Sequence, residues 1–381
     1  MCIRDRFVLD DGWFGKRNDD TTSLGDWFEN EEKLGGSLSS LVEEVHQRGL
    51  KFGIWVEPEM ISLSSQLYEK HPDWLVQVPN RSPQMVRNQY VLDLTRREVQ
   101  DYLIYTLNQL FAENQIDYVK WDMNRNITDS YSVSLAPDQQ AEFSHRYILG
   151  LYRILAAITS HNPKILFESC AGGGGRCDAG MLYYMPQTWI SDDTDAIARL
   201  AIQEGTALVY PPVTMGCHVS AVPNHQVGRS TPLKTRALVA QQGNYGYELD
   251  ILKLTAFERQ QVKKQIQEYK KERATLQFGK HTRLAVYDQA NEFAWQKENE
   301  QTGELIVTHI TILARPNTVP KRLRLKSLEA TARYLVNKEM HSGQELMKIG
   351  LMIDRPVNDF YATKWKIEKM EDSDHVDIEI G

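Results

Sequence analysis

Tyr118-Val119-Lys120-Trp121-Asp122-Met123-Asn124 is a short apolar run that stops at an acid. Runs of this length and polarity suit a strand buried on both faces, as in a parallel sheet. The same phrase recurs on both sides of it. Phe7-Val8-Leu9 stops at Asp10-Asp11, and Phe52-Gly53-Ile54-Trp55-Val56 stops at Glu57-Pro58-Glu59. Ile165-Leu166-Phe167 stops at Glu168-Ser169-Cys170, and Trp189-Ile190-Ser191 stops at Asp192-Asp193. Two weaker runs, Ala207–Tyr210 and Tyr245–Leu249, bring the strands to seven.

Helical periodicity fills the gaps, over Leu38–Arg48, Arg97–Asn114, Gln139–Ser160 and Thr194–Gln203. Strand, acid, loop and helix in repetition give a parallel α/β sheet. In a (β/α)8 barrel the carboxyl ends of the strands carry the active site. Seven strands are one fewer than a closed barrel requires, so the expected fold is a (β/α)8 barrel lacking its first strand. From about residue 276 the period changes to two. Arg283–Tyr287, Phe293–Gln296, Leu305–Ile310 and Arg322–Leu325 read as antiparallel strands of a small β-sandwich, after a charged helix over Thr255–Arg273. The expected division is 7–275 for the barrel and 276–381 for the β-domain.

The first six residues, Met1-Cys2-Ile3-Arg4-Asp5-Arg6, run straight into a strand with no approach to it. They are the translation of ATG-TGT-ATA-AGA-GAC-AG, the end of a common sequencing transposon. Residues 1–6 are therefore expected to be an adapter artefact. The chain would then be an N-terminally truncated piece, unstable and nearly inactive by itself.

Composition removes several classes. The 381 residues carry 51 Asp+Glu against 44 Lys+Arg, a formal charge of -7, which gives no basic face for nucleic acid. No apolar stretch approaches a membrane span. Four cysteines are too few for a disulfide scaffold, and with no signal peptide the expected location is the cytoplasm.

One acid after one strand is commonly a helix cap or turn residue. Five such ends on one face of a sheet repel each other, and folding alone does not call for that. Catalysis or metal binding does. The ten histidines show no ligand spacing at the strand ends, and Cys170 and Cys177 lack zinc-finger spacing. No metal or cofactor is expected. Paired carboxylates instead suit glycoside hydrolysis, one as nucleophile or base and one as proton donor. Trp13, Trp27, Trp55 and Trp121 lie on or after strand ends, where they serve either a sugar pocket or the core.

With these motifs in place, the chain resembles the bacterial α-galactosidases of glycoside hydrolase family 36, the melibiase type. The resemblance rests on 7–17 (FVLDDGWFGKR), 52–61 (FGIWVEPEMI), 119–125 (VKWDMNR), 169–180 (SCAGGGGRCDAG) and 189–196 (WISDDTDA). It implies cleavage of terminal α-galactosyl groups with retention of configuration. By matching position it makes Asp122 the nucleophile and Asp192 the acid/base, the choice of Asp192 over Asp193 resting on the resemblance alone. It makes Asp10 and Asp11 the acceptors for galactose O4 and O6, Trp55 an aromatic wall, and Arg87 a cationic sugar contact. Lys120 and Asn124 flank the nucleophile in the same substrate site, and Cys170 and Gly173 lie near O2. The Gly172–Gly175 run would let the backbone approach the ligand. The partner implied is an oligosaccharide of the melibiose or raffinose type, and the full-length protein would be a homotetramer. An α-N-acetylgalactosaminidase and a raffinose-synthase-like transglycosidase are the alternative activities, and a non-catalytic carbohydrate-binding protein is a further class.

Overall fold

The computed structural model describes residues 2–3 and 5–370. The chain divides into two compact units, Met1–Asp192 and Asp193–Gly381. In the first unit the strands Arg6–Leu9, Lys51–Val56, Tyr118–Trp121, Leu166–Ser169 and Gln187–Trp189 pair in parallel in that order. Their register aligns the chemistry. Leu9 lies opposite Ile54, Val56 opposite Trp121, and Trp121 opposite Ser169. Glu57, Asp122 and Cys170 therefore leave the sheet at one level. Asp10 leaves two residues earlier, level with Trp55 and Lys120.

Helices cover the sheet with one apolar stripe each. Leu38–Gln47 buries Leu38, Val42 and Val45, is capped by the Ser37 hydroxyl, and is followed by Gly49 at φ 74°. Arg97–Glu113 buries Val99, Leu103, Leu107, Leu110 and Phe111, and Phe143–His161 buries Tyr147, Leu151, Ile154, Leu155 and Ile158. Each fully buried aliphatic side chain contributes roughly 1.5–3 kcal/mol. Gly150 lies where a Cβ would stand 2.0 Å from the Leu94 carbonyl oxygen, so only glycine lets that helix seat.

At the start of the chain the strand begins at Arg6, opposite Lys51, one residue before Phe7. Cys2–Ile3 pairs antiparallel with it, Cys2 opposite Phe7 and Ile3 opposite Arg6.

The second unit holds two further parallel strands, Met215–Ser220 and Asn244–Glu248, with Tyr245 opposite Cys217 and Tyr247 opposite Val219. Among the described residues the first unit thus holds five parallel strands and the second two, and the fold is of the TIM-barrel type. Ala207–Tyr210 is not one of them. The helix Ala196–Ala207, capped by Asp195, runs into it, and Leu208 and Val209 are each 72% exposed. The actual strand, Met-Gly-Cys-His-Val-Ser, escapes a hydrophobicity reading because glycine, cysteine and histidine fill its buried middle.

The rest of the second unit is antiparallel. Six strands run in the order Lys280–Arg283, Glu292–Glu298, Glu304–Thr311, Tyr361–Lys369, Arg333–Val336 and Glu339–Ser342. A two-stranded sheet, Lys321–Leu323 with Leu351–Ile353, shares their core of Leu305, Val307, Leu323, Leu351, Trp365 and Ile367. The strand expected at Arg283–Tyr287 lies earlier, at Lys280–Arg283. The helix Ala256–Phe278 starts at a capping box, with the Thr255 hydroxyl on the Glu258 N–H and the Glu258 carboxylate on the Thr255 N–H.

Candidate active site

The candidate residues all lie in the first unit. Asp122 follows the strand Tyr118–Trp121 and is 4% exposed. Its amide donates to Val56 O at 2.8 Å. Its Oδ1 accepts the Met123 N–H at 2.8 Å, and its Oδ2 accepts the Trp55 indole N–H at 3.0 Å. Both carboxylate oxygens are thus aimed by rigid neighbours. Charge-assisted bonds of this kind are the stronger class of hydrogen bond.

Lys120, two residues earlier, points to the same side of the strand. Its Nζ stands 3.6 Å from Asp10 Oδ2, and the side chain is 7% exposed. Burial works against its charge. The negative groups around it, Asp10 foremost, outweigh burial and hold its pKa above the ordinary lysine value. Cys170, also at this edge, is buried beside Asp122. Burial first, then the Asp122 charge, pushes its thiol well above the usual range. A thiol pushed up in this way favours its protonated form, the less nucleophilic one.

Asp11 is exposed and gripped by a fork. Arg17 Nε reaches Asp11 Oδ1 at 3.0 Å and Nη2 reaches Oδ2 at 2.9 Å. Arg17 is itself 3% exposed and also donates to Thr22 O at 2.9 Å. Arg87, at φ 51°, donates to Asn124 O and Oδ1 at 3.3 and 3.1 Å, which brings it to the turn after Asp122.

Asp192 is exposed and accepts the Trp189 indole N–H at 3.1 Å. Gly173 touches this segment. A Cβ on Gly173 would stand 2.7 Å from Ser191 Cα and 2.9 Å from Asp192 N, and one on Gly174 would stand 2.5 Å from Ile190 O. The missing side chains make room for the backbone that carries Asp192. Only Gly172, with nothing within 4 Å of its Cβ position, faces open space.

Trp55 meets the site by its edge. Its ring lies 6.2 Å from Phe14 at 15°, 3% of its surface is exposed, and its N–H serves Asp122. Trp13, Trp27 and Trp121 are likewise 4% exposed or less. Trp13 Nε1 donates to Trp55 O at 2.9 Å, which supports the supporter.

Within the second unit, Asp193 and Asp195 both bond local backbone. Asp195 caps the helix Ala196–Ala207 and pairs with Arg229, and Asp193 Oδ1 accepts the Asp195 N–H at 3.0 Å.

The structure adds residues that received no role from the sequence. Glu57 is fully buried next to Asp122. Glu59, also fully buried, accepts from the Trp121 indole and the Tyr147 hydroxyl, each at 3.0 Å, and pairs with Arg176 at 2.8 Å. Both acids were visible as the Glu-Pro-Glu end of a strand. Arg17, and Gln89, whose amide donates to Glu57 Oε2 at 3.0 Å, carried no signal, because their partnerships depend on tertiary contacts. Among the described residues, no group of three or more His, Cys, Asp or Glu could hold a metal ion, and no helix is long and apolar enough to cross a membrane.

Residues 3–279 match the melibiase family, and residues 292–367 match the glycosyl hydrolase family 36 C-terminal domain. The chain is 52% identical over 365 residues to α-galactosidase AgaA of Geobacillus stearothermophilus, covering 96% of this chain and 50% of that protein. It is 49% identical over 360 residues to α-galactosidase 1 of Pediococcus pentosaceus, covering 94% of this chain and 49% of that protein. The crystal structure of GH36 α-galactosidase AgaA in complex with raffinose is similar with a TM-score of 0.94, at 51% identity, covering 96% of this chain and 51% of that one. The chain thus spans about half the length of the curated relatives it matches. With five strand-end motifs on one sheet and both family domains in order, the chain belongs to the melibiase family, glycoside hydrolase family 36.

Proposed function

We propose that the chain carries the catalytic site of a retaining α-galactosidase. The observation that carries this is the pair of strand-end carboxylates, Asp122 and Asp192, each steered by a tryptophan N–H. Asp122 attacks C1 of the terminal galactosyl group, and the C1–O bond to the aglycone breaks. The departing oxygen takes a proton from Asp192. Asp192 then takes a proton from water as that water attacks C1, and Asp122 leaves with its original charge. Two inversions give net retention.

Asp10, Asp11, Lys120, Asn124 and Arg87 are proposed to bind the sugar, with Cys170 and Gly173 beside O2. An axial O4 that meets two carboxylates separates galactose from glucose, because a buried acceptor left unpaired is costly. Substrates are terminal α-D-galactosides of the melibiose and raffinose type. Crystal structures of variants of GH36 α-galactosidase AgaA, of which this chain covers 51%, are described in complex with raffinose and with stachyose. We also propose a homotetramer in the cytoplasm, with residues 7–275 as the catalytic region and 276–381 as an accessory β-domain.

Hydrolysis of p-nitrophenyl α-galactoside by the proposed homotetrameric protein tests the reading. Asp122→Ala should lower turnover by about 10³-fold or more and leave galactose binding in place. Retained turnover removes the assigned nucleophile.

A further inference from the structure

The strand Lys51–Val56 delivers an acid that the two-carboxylate reaction does not use. Val56 lies opposite Trp121, so Glu57 stands beside Asp122. Glu57 is fully buried. Its Oε1 accepts the Asn124 N–H at 2.5 Å, and its Oε2 accepts Gln89 Nε2 at 3.0 Å. The Asp122 amide already holds Val56 O at 2.8 Å. The turn bearing Asp122 is therefore pinned at both ends to the neighbouring strand end, by a carbonyl before and a carboxyl after. The Gln89 backbone is fixed in turn, since Arg125 Nη1 donates to Gln89 O at 2.8 Å.

We propose that Glu57 is a positioning residue for the nucleophile: by holding the Asn124 N–H it fixes the turn 122–125 and with it the approach of Asp122 to the anomeric carbon. This rests on the assignment of Asp122 as nucleophile. The same turn receives Arg87 through Asn124 O and Oδ1, so the clamp also sets a sugar contact.

The clamp has a protonation state. Burial first, and then the charge of Asp122, pushes the Glu57 carboxyl up to about 8, against the hydrogen bonds to Asn124 and the attraction of Arg17. Asp122 from the adjoining strand end and Arg17 from the loop after the first strand are the charged groups that face it. At neutral pH Glu57 holds its proton, and that proton needs an acceptor. Gln89 Oε1 is buried with no hydrogen-bond partner. Turning this amide by half a revolution brings the idle oxygen to Glu57 Oε2, and amide oxygen and nitrogen are interchangeable in this sense. A neutral Glu57 leaves Asp122 as the only anion of the pair. Ionisation adds a second buried negative charge beside it, which draws in water and loosens the turn.

Three variants decide the matter. Glu57→Ala leaves the Asn124 N–H unpartnered, and kcat should fall by about 10²-fold while KM changes by no more than about threefold. Glu57→Gln still accepts from Asn124 and donates to Gln89, and should recover about tenfold of that loss. The pH profile of kcat/KM should steepen above about 8 in the parent, beyond the limb that any proton-donor mechanism shows, and Glu57→Gln should lose that steepening. A merely structural Glu57 would leave the two profiles with the same shape. The proposal is overturned if Glu57→Ala keeps kcat within about threefold of the parent, or if Glu57→Gln keeps the parent's steepening above about 8. Should circular dichroism show Glu57→Ala unfolded, the Glu57→Gln profile decides alone. Asp122→Ala separates the two levels. Its retained turnover overturns the nucleophile assignment, whereas an inactive Asp122→Ala with an unaffected Glu57→Ala overturns the clamp only.

Discussion

Trp55 holds Asp122 by its edge. The indole Nε1 donates to Asp122 Oδ2 at 3.0 Å while the ring packs nearly parallel to Phe14. The other carboxylate oxygen takes the Met123 N–H at 2.8 Å, so neither oxygen is free to turn. Trp189 repeats the device at Asp192, at 3.1 Å. Each tryptophan comes from a strand of the same sheet, and a sheet end is a rigid place from which to aim a carboxylate.

Trp55→Phe removes the N–H and keeps an aromatic ring in the core. Loss of a buried bond to a charged group costs about 1.5–3 kcal/mol, or roughly 10- to 100-fold in kcat if it acts in the transition state. KM should move little. Steady-state kinetics on p-nitrophenyl α-galactoside separates this from the alternative. A raised KM with kcat preserved would support the role of Trp55 as an aromatic wall for the sugar.

Arg17→Lys tests the fork on Asp11. Lysine presents a point charge where arginine presents two parallel donors, so one of the two contacts at 2.9 and 3.0 Å is lost. If Asp11 grips galactose, KM should rise about tenfold with a smaller change in kcat. An unchanged KM would show that Asp11 contacts the sugar independently of Arg17, or not at all.

The difference between what the sequence displays and what it hides is physical. The acid-ended strands are legible because burial on both faces forces an apolar run and the acid marks its end. Met215–Ser220 is hidden because its interior space is filled by Gly216, Cys217 and His218, and Ala207–Tyr210 imitates a strand with residues that the structure leaves exposed. The roles proposed for Asp122 and Asp192 come from family resemblance, since acids end other strands too. Glu57 with Asn124 and Gln89 is a partnership across 67 and 32 residues, and no local spacing encodes it. The Gly172–Gly175 run is visible, but which glycine faces the ligand and which faces Asp192 depends on how the loop closes.

Glu57 also predicts a stability profile. Its folded pKa of about 8 lies above the ordinary 4.5. A carboxyl raised on folding stabilises fully below its unfolded pKa, and that contribution is lost as pH rises through the folded value. Between pH 4.5 and about 8 the parent should therefore lose Tm. Glu57→Gln, which cannot ionise, should lose less over the same window. Scanning calorimetry at a series of pH values checks this, and parallel curves for the two proteins would contradict a raised Glu57.

Gly173 and Gly172 offer a paired test of how Asp192 is placed. Both have positive φ, 86° and 54°, so alanine at either costs about 1–3 kcal/mol of backbone strain. Only at Gly173 does the new Cβ also strike backbone, 2.7 Å from Ser191 Cα and 2.9 Å from Asp192 N. Backbone cannot swing aside as a flexible side chain does, so the segment carrying Asp192 must shift. Gly173→Ala should lower kcat by about 10²-fold, most strongly for substrates whose leaving group needs a proton, such as raffinose. Activated p-nitrophenyl galactoside should suffer less, because its leaving group departs without help. Gly172→Ala meets nothing within 4 Å and should show the stability loss alone. Equal activity losses in the two variants would mean that loop flexibility, and not the contact with Asp192, governs this side of the site.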